Sequence, residues 1–302
     1  MPDTSNLNPT VGANAISLAG DRHPPAPPPQ RPRAALALAP RNSSPLPDQA
    51  RSAFRDWLRI RKQLNSAKRC AFFLDFDGTL VNLRRRPGDV RVPAQARRVL
   101  KRLASHPRVH VVIVSGRKLQ DVRKLVGLRE LRYFGVHGGE RGRKSVALSK
   151  KSMRALQAAK RAVRAGLAPI RGLWIEDKRL SFAVHYRDAG AAASHSAGAL
   201  LKSLLAPWRD SLHTLSGSLV WEILPREIPG KFTAVDAVLG RRRGHTAIVY
   251  VGNDGTDEVA FAALPGHITV RVGRHKTTLA RYSLRSPAAV LRFLTRVEKE
   301  LP

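Results

Sequence analysis

The sequence predicts an α/β protein, a parallel sheet flanked by helices, with a smaller α+β unit inserted into it. Three observations predict this. Short apolar runs at Ala71–Leu74, Val109–Val114 and Ala247–Val251 each end in polar residues and alternate with amphipathic stretches, the order of βαβ units. Across residues 143–226 the alternation gives way to helices interleaved with paired strand-like runs. The parallel pattern then resumes and continues to a last amphipathic helix near the C-terminus.

In chain order, residues 1–50 hold eleven of the 21 prolines among scattered Ser, Asn and Ala. That composition builds no core and predicts a disordered, polyproline-like tail. Phe54, Trp57 and Leu58 predict a lead-in helix between Asp48 and Ser66. Ala71–Leu74 is too short for a helix and fits a buried strand that delivers Asp75 to its carboxyl end. A helix over Pro93–Ser105 follows, then strand Val109–Val114, a helix over Lys118–Val126 and strand Arg132–Val136.

In the inserted unit, Ser149 caps a helix carrying Met153, Leu156 and Val163. Strand-like runs at Leu173–Ile175 and Leu180–Tyr186, a helix over Ala189–Leu205, and runs at His213–Leu215 and Leu219–Leu224 complete it. The remaining expectations are a helix near Phe232–Leu239, strands Ala247–Val251 and Ile268–Val272, and a helix opened by Ser286-Pro287. The domain division expected is a tail at 1–50, a core at 51–142 and 227–302, and a cap at 143–226.

At 302 residues the chain has ample core for one large domain or two modest ones. No apolar run approaches the ~20 residues of a membrane span, and Met1-Pro2-Asp3-Thr4 lacks the basic and apolar regions of a secretory signal. Cys70 is the single cysteine, so no internal disulfide forms; a cytoplasmic location is expected. The formal net charge is +32, but the basic residues are dispersed along helices or sit in short loops such as Arg84-Arg85-Arg86. No aromatic RNA-binding signature or zinc-finger spacing accompanies them. The expectation is no specific nucleic-acid or membrane partner, with only nonspecific attraction to polyanions.

Polar residues collect at the strand ends. Asp75 and Asp77 close the first strand in Asp75-Phe76-Asp77-Gly78-Thr79, and Ser115 closes the next, where a hydroxyl can donate to an anionic oxygen without adding charge. Lys231 follows Pro229-Gly230 ahead of a helix, a place for a cation that holds an anionic group. Gly252-Asn253-Asp254-Gly255-Thr256-Asp257-Glu258 brings amide and carboxylate oxygens to the end of the strand Ala247–Val251. Read by themselves, Glu176 and Lys178 are a solvated surface pair and His185 a structural histidine.

The Asp-x-Asp-Gly-Thr motif resembles the first motif of the haloacid dehalogenase (HAD) phosphatases. From Cys70 onward the chain resembles trehalose-6-phosphate phosphatases, HAD enzymes with a type-2 cap. The residues that carry this are Gly252–Glu258, close to that family's GDDxTDE, and Glu176-Asp177-Lys178 followed by His185-Tyr186-Arg187. The resemblance implies a Rossmann-like HAD core with a parallel sheet and an α+β cap. It also implies Mg²⁺-dependent hydrolysis of trehalose 6-phosphate through an aspartyl-phosphate, a step of trehalose biosynthesis. Asp75 is then the nucleophile, Asp77 the general acid/base, and Ser115 and Lys231 hold the phosphoryl group. Arg117, His137, Glu176, Lys178 and Glu222 contact the substrate, and Asp75, Asp77, Asn253, Asp254 and Asp257 form the metal set. If one strand runs through Glu176 and Lys178, they share a face.

Two positions depart from the family pattern. Asn253 stands where aspartate is usual, leaving open whether Asn253 or Asp254 supplies the ligand, and Lys231 is followed by Phe232 in place of glycine. Hydrolysis of another sugar phosphate is the neighbouring reading, and a non-catalytic polyanion-binding module the reading from another class.

Overall fold

The computed structural model describes residues 50–84, 86–274 and 277–302; the Pro-rich stretch up to Gln49, and Arg85 of the Arg84–Arg86 cluster, lie outside the described residues. The chain enters through a two-residue strand β1 (Arg51–Ser52) and helix α1 (Trp57–Ser66), so the lead-in helix starts later than its apolar spacing predicts. Strand β2 (Arg69–Asp75), helix α2 (Ala94–Ser105), strand β3 (Val109–Val114), helix α3 (Leu119–Val126) and strand β4 (Arg132–Gly135) follow. Short strands β5 (Glu140–Arg141) and β6 (Lys144–Ser145) come next.

Helix α4 (Lys150–Leu167) is capped by Ser149, whose side chain accepts from Ser152 N. It is followed by strands β7 (Trp174–Asp177) and β8 (Phe182–His185), helix α5 (Ala191–Leu205), and strands β9 (Leu212–Gly217) and β10 (Val220–Pro225). Helix α6 (Thr233–Leu239), strand β11 (Thr246–Gly252), helix α7 (Gly255–Ala262), strands β12 (Ile268–Val272) and β13 (Tyr282–Leu284), and helix α8 (Pro287–Glu300) complete the chain.

Among the described residues, nine strands form one sheet in the order β1-β13-β12-β11-β2-β3-β4-β5-β6, parallel from β1 to β4. Only β5 and β6 pair antiparallel at its edge. Period-two alternation decides what each face buries. Cys70, Phe72 and Leu74 of β2 and Val249 and Val251 of β11 pack with α1, α2, α3 and α8. The intervening Ala71, Phe73, Ile248 and Tyr250 pack with α6 and α7. Both faces being covered explains why these strands read as continuous apolar runs.

The second sheet is antiparallel, in the order β7-β8-β10-β9. Phe182 and Val184 of β8 and Ile223 of β10 pack under α4 and α5. The alternate residues therefore face away from the helices. Pairing registers place Glu176, Ala183 and Glu222 in one row across three strands, with His185 between Trp174 and Val220 in the next. This open face carries the polar residues of the insertion, while β6 still belongs to the large sheet and the change of sheet falls between Ser145 and Trp174.

The strand β7 ends at Asp177, so Lys178 does not continue it. Asp177 Oδ1 accepts from Arg179 N at 3.0 Å, and Arg179 takes a left-handed φ of 68°, which turns the chain. Lys178 thus leaves the strand rather than sharing a strand face with Glu176.

The α8 layer rests on Phe293, fully buried and edge-on to Trp57 at 5.9 Å. Replacing Phe293 with Ala is expected to cost about 3–5 kcal/mol, read as a lowered urea midpoint at unchanged slope.

Candidate active site

Asp75 ends β2 and is 4% exposed. Its Oδ1 accepts from the ammonium of Lys231 at 2.9 Å. The same ammonium reaches Asp257 Oδ1 at 3.1 Å and Asp254 Oδ2 at 3.3 Å. One cation from the α6 entry therefore joins carboxylates from β2 and from the β11–α7 turn. Burial alone would push Lys231 down, but Asp254, Asp257 and Asp75 outweigh it and hold the ammonium well above its usual range. For Asp75, burial and the neighbouring Asp257 and Asp254 win against Lys231 and push its carboxyl well up. Three carboxylates around one ammonium leave a surplus of negative charge where water is scarce.

The β11–α7 turn is organised from within. Asp254 caps α7, its Oδ1 accepting from Thr256 N at 2.8 Å and Asp257 N at 3.3 Å, with Thr256 Oγ1 donating to the same oxygen. Asp257 is fully buried, and its Oδ2 accepts from Asn253 N at 2.9 Å and Asp254 N at 3.1 Å. Its Oδ1 takes Tyr250 OH at 3.3 Å as well as Lys231. Burial first, then the charge of Asp254, pushes Asp257 up to about 6. Asp257 does not line the cleft; its oxygens are spent on the turn and on Lys231. Glu258 points elsewhere, holding Arg271 at 3.0 Å, Thr278 Oγ1 at 2.8 Å and Leu279 N at 2.8 Å.

The Asn253 side chain stands between the two motif segments. Its hydrogen-bonding surroundings direct the amide nitrogen at Asp75 Oδ2 (2.8 Å), the Asp77 carbonyl (2.8 Å) and Thr79 Oγ1 (3.2 Å). Gly78, with φ of 80°, is needed here, because a Cβ would lie 2.2 Å from the Asn253 amide.

Asp77 is gripped by the guanidinium of Arg117 through two bonds of 2.7 Å, and Arg117 also donates to Pro87 O at 2.9 Å. Among the described residues, then, Arg117 is a partner of Asp77 as well as a wall of the cleft. Ser115 is buried beside Asp75, following Val114, the register partner of Asp75. Its Oγ accepts from Arg117 N at 3.1 Å, which leaves the hydroxyl hydrogen free to donate.

Across the cleft, Lys178 and Glu222 are buried and paired. Lys178 Nζ lies 3.0 Å from Glu222 Oε1 and donates to Gly116 O at 3.0 Å, so the insertion grips the core loop after β3. Glu222 Oε2 meets His137 Nε2 at 2.9 Å, and Ser181 Oγ donates to Glu222 Oε1 at 3.0 Å. His137 sits in the left-handed region, with φ of 53°. Gly116 makes room for this contact, since a Cβ there would be 2.7 Å from His137 Nε2. Burial would raise Glu222, but Lys178 and His137 hold it well below the usual carboxylate range. Glu176 accepts from His185 Nε2 at 2.9 Å, and His185 stacks on Trp174 at 3.7 Å. The solvated pair that Glu176 and Lys178 would otherwise form is absent: Lys178 is 6% exposed and paired elsewhere.

All nine catalytic and substrate-contact candidates line one cleft of about 150 Å³, together with Asn253 and Asp254. His185, read from the sequence as a structural histidine, lines it too, as do Arg187 and the β9–β10 tip at Ser216–Ser218, to which the sequence assigned no role in the site. His185 and Arg187 carried a signal, as part of the His-Tyr-Arg run; the β9–β10 tip carried none. The cleft sets five basic side chains against five carboxylates. Among the described residues no cluster of three or more His, Cys, Asp and Glu side chains is arranged to hold a metal ion. Of the expected metal set, Asp75, Asp77, Asn253 and Asp254 line the cleft and Asp257 does not. No helix among the described residues is long and apolar enough to cross a membrane.

A parallel sheet with acidic strand-end residues and an inserted antiparallel cap is the architecture of the HAD-like phosphatases, and comparison with known structures agrees. The C-terminal domain of the Candida albicans trehalose-6-phosphate phosphatase superposes with a TM-score of 0.74 at 20% identity, covering 84% of this chain and 99% of that one. A haloacid dehalogenase-like hydrolase from Bacteroides thetaiotaomicron superposes at 0.54, with 14% identity, over 76% of this chain and all of that one. Residues 73–288 match the trehalose-phosphatase family model. The trehalose-phosphate phosphatase of Mycobacterium marinum is 32% identical over 280 residues, 86% of this chain and 68% of that protein. The Mycobacterium tuberculosis protein of the same name is 32% identical over 251 residues, 78% of this chain. The match spans 63% of that relative's length. The chain belongs to the trehalose-phosphatase family.

The Glu222 network predicts a pH signature. A depressed carboxylate stabilises the fold above its unfolded value of about 4.3, and this is lost as pH falls below it. Glu222→Gln is expected to cost roughly 3–5 kcal/mol at pH 7. In denaturant titrations that difference from wild type should shrink by pH 3.5; a constant difference would sink the assignment.

Proposed function

We propose that this chain hydrolyses trehalose 6-phosphate to trehalose and phosphate, with Mg²⁺ as cofactor. The observation that carries the reading is the Lys231 ammonium, which gathers Asp75, Asp254 and Asp257 at one end of the parallel sheet. A polar cap face stands opposite. The division proposed is a core at 51–142 and 227–302 with a cap at 143–226, and the proposed location is cytoplasmic, with no specific nucleic-acid or membrane partner.

In the first half-reaction an Asp75 oxygen attacks phosphorus, the bond to the sugar 6-oxygen breaks, and Asp77 delivers a proton to that oxygen. In the second, water attacks the aspartyl-phosphate, Asp77 takes its proton, and the bond between phosphorus and Asp75 breaks. The guanidinium of Arg117 holds the Asp77 carboxyl in place through two hydrogen bonds. Ser115 and Lys231 hold phosphoryl oxygens, and their fixed positions supply most of the stabilisation.

The residues present fit a divalent cation. Surplus negative charge surrounds Lys231, and Asp75 Oδ2 and the Asp77 carbonyl both lie 2.8 Å from one Asn253 atom. When bound, Mg²⁺ offsets the charge between carboxylate and phosphate. Asp75, the Asp77 carbonyl and Asn253, with its amide turned to present oxygen, are the proposed ligands. Asp254 and Asp257 are positioning residues, since their oxygens cap α7 and hold Lys231. Glu176 and Arg187 are the proposed sugar contacts from the cap, with Lys178 and Glu222 rearranging to join them.

The test is phosphate release with and without Mg²⁺ from trehalose 6-phosphate, sucrose 6-phosphate and glucose 6-phosphate. Preference for trehalose 6-phosphate is expected, with Asp75→Asn inactive and Asp77→Asn slowed by about 10²–10⁴-fold. Hydrolysis surviving in Asp75→Asn would overturn the reading. Gly252→Ala tests the charge cluster separately, because its Cβ would lie 2.2 Å from Asp257 Cγ. A fall of about a hundredfold in rate is expected with the fold retained; a near-normal rate would show that Asp257 does not position Lys231.

A further inference from the structure

A second cavity, an open groove of about 520 Å³, lies against the catalytic cleft on the far side of Asn253 and Asp254. The two share Leu83, Ser216, Gly217, Ser218, Asn253 and Asp254, so the groove adjoins the cleft across a wall made of these residues. Its charge is different. Three arginines, Arg271, Arg274 and Arg285, face a single carboxylate, Asp254, whereas basic and acidic side chains balance in the cleft. Arg271 is anchored, donating to Asp254 O at 2.5 Å and to the carboxylate of Glu258 at 3.0 Å, which matches its charge, so the groove's positive excess comes from Arg274 and Arg285. Arg274 and Arg285 are exposed at the groove. No step proposed above uses any of these three arginines.

We infer that this groove binds orthophosphate as it leaves, giving the inorganic product a route distinct from that of the sugar. The inference rests on the proposed phosphatase reading. Hydrolysis leaves phosphate at the floor of the cleft, beside Asp75, Ser115 and Lys231, with the disaccharide above it under the cap. The cap side is closed by Lys178 on Gly116 O and Glu222 on His137. A dianion at the floor therefore meets the sugar and paired charges in one direction and a net positive groove in the other. Cations lining a groove raise local anion concentration and speed passage. The hairpin tip Ser216–Ser218 lines both spaces, so the same cap element that covers the sugar also borders the phosphate route.

The experiment compares wild type with Arg274→Glu, Arg285→Glu and the double variant. Arg98→Glu, an exposed arginine of α2 that lines neither space, controls for net charge, and thermal melts check folding. Single-turnover formation of trehalose should stay within about twofold of wild type. Steady-state kcat should fall about fivefold or more in the double variant, with a burst of trehalose before the slow phase. The inhibition constant of added inorganic phosphate should rise by a similar factor, and Arg98→Glu should change neither. Unchanged kcat and unchanged phosphate inhibition in a folded, active double variant would overturn the route and leave the catalytic reading standing. Failure of the wild-type protein to release phosphate from trehalose 6-phosphate is the distinct failure, that of the functional reading, and removes the route's product with it.

Discussion

The ammonium of Lys231 stands within 3.3 Å of three carboxylates, and the site is arranged around that imbalance. Its Nζ is nearly inaccessible, so the attraction acts without much screening by water. Lys231 enters from the segment after the cap, Asp75 from the first core strand, and Asp254 and Asp257 from the turn after β11. Keeping these together needs a rigid parallel sheet, because loss of the ammonium would leave Asp75 and Asp257 buried without their cation. Asp257 shows how tightly the surroundings are drawn. Its carboxylate takes two backbone N–H groups of its own turn, the Tyr250 hydroxyl and the ammonium at once.

The cap uses the same physics in a different balance. Glu222 meets Lys178, His137 and Ser181, so its charge is matched and its ionised form is favoured despite full burial. The network crosses from cap to core at two points: Glu222 meets His137 at the core sheet's β4 end, and Lys178 also binds Gly116 O after β3. Closure of the cap thus bears on the loop that also carries Ser115 and Arg117. A cleft of about 150 Å³ is small beside the ~300 Å³ or more usual for ligand pockets.

Glycine positions record how closely the parts approach. At Gly78, Gly116 and Gly252 an added Cβ would collide with Asn253, His137 and Asp257 respectively, each a residue of the site. At the Lys231 turn the left-handed conformation is supplied by Gly230, with φ of 85°, so Phe232 in the following position imposes no strain. Phe232 instead packs its ring under Arg243 at 5.2 Å.

The sequence by itself determined the α/β class, the strands that end in Asp75, Ser115 and Asn253, and the insertion between them. These are local properties: apolar runs of strand length, helical periodicity and Gly-containing turns are written in contiguous residues. It also marked Asp75, Asp77 and Ser115, residues proposed for catalysis, because a strand end is where a carboxylate or hydroxyl becomes available, and Lys231 by its place at a helix entry. Short pairings such as β1 with β13 and β5 with β6 were not legible, since two or three residues carry no periodicity and depend on a distant partner. The partners of the site residues were decided only by tertiary structure. Nothing in the spacing shows that Arg117 grips Asp77, that Lys178 leaves its strand for Glu222, or that Asp257 faces inward while Asn253 faces Asp75. Charge pairing and burial act between segments that the folded sheet alone brings within 3 Å.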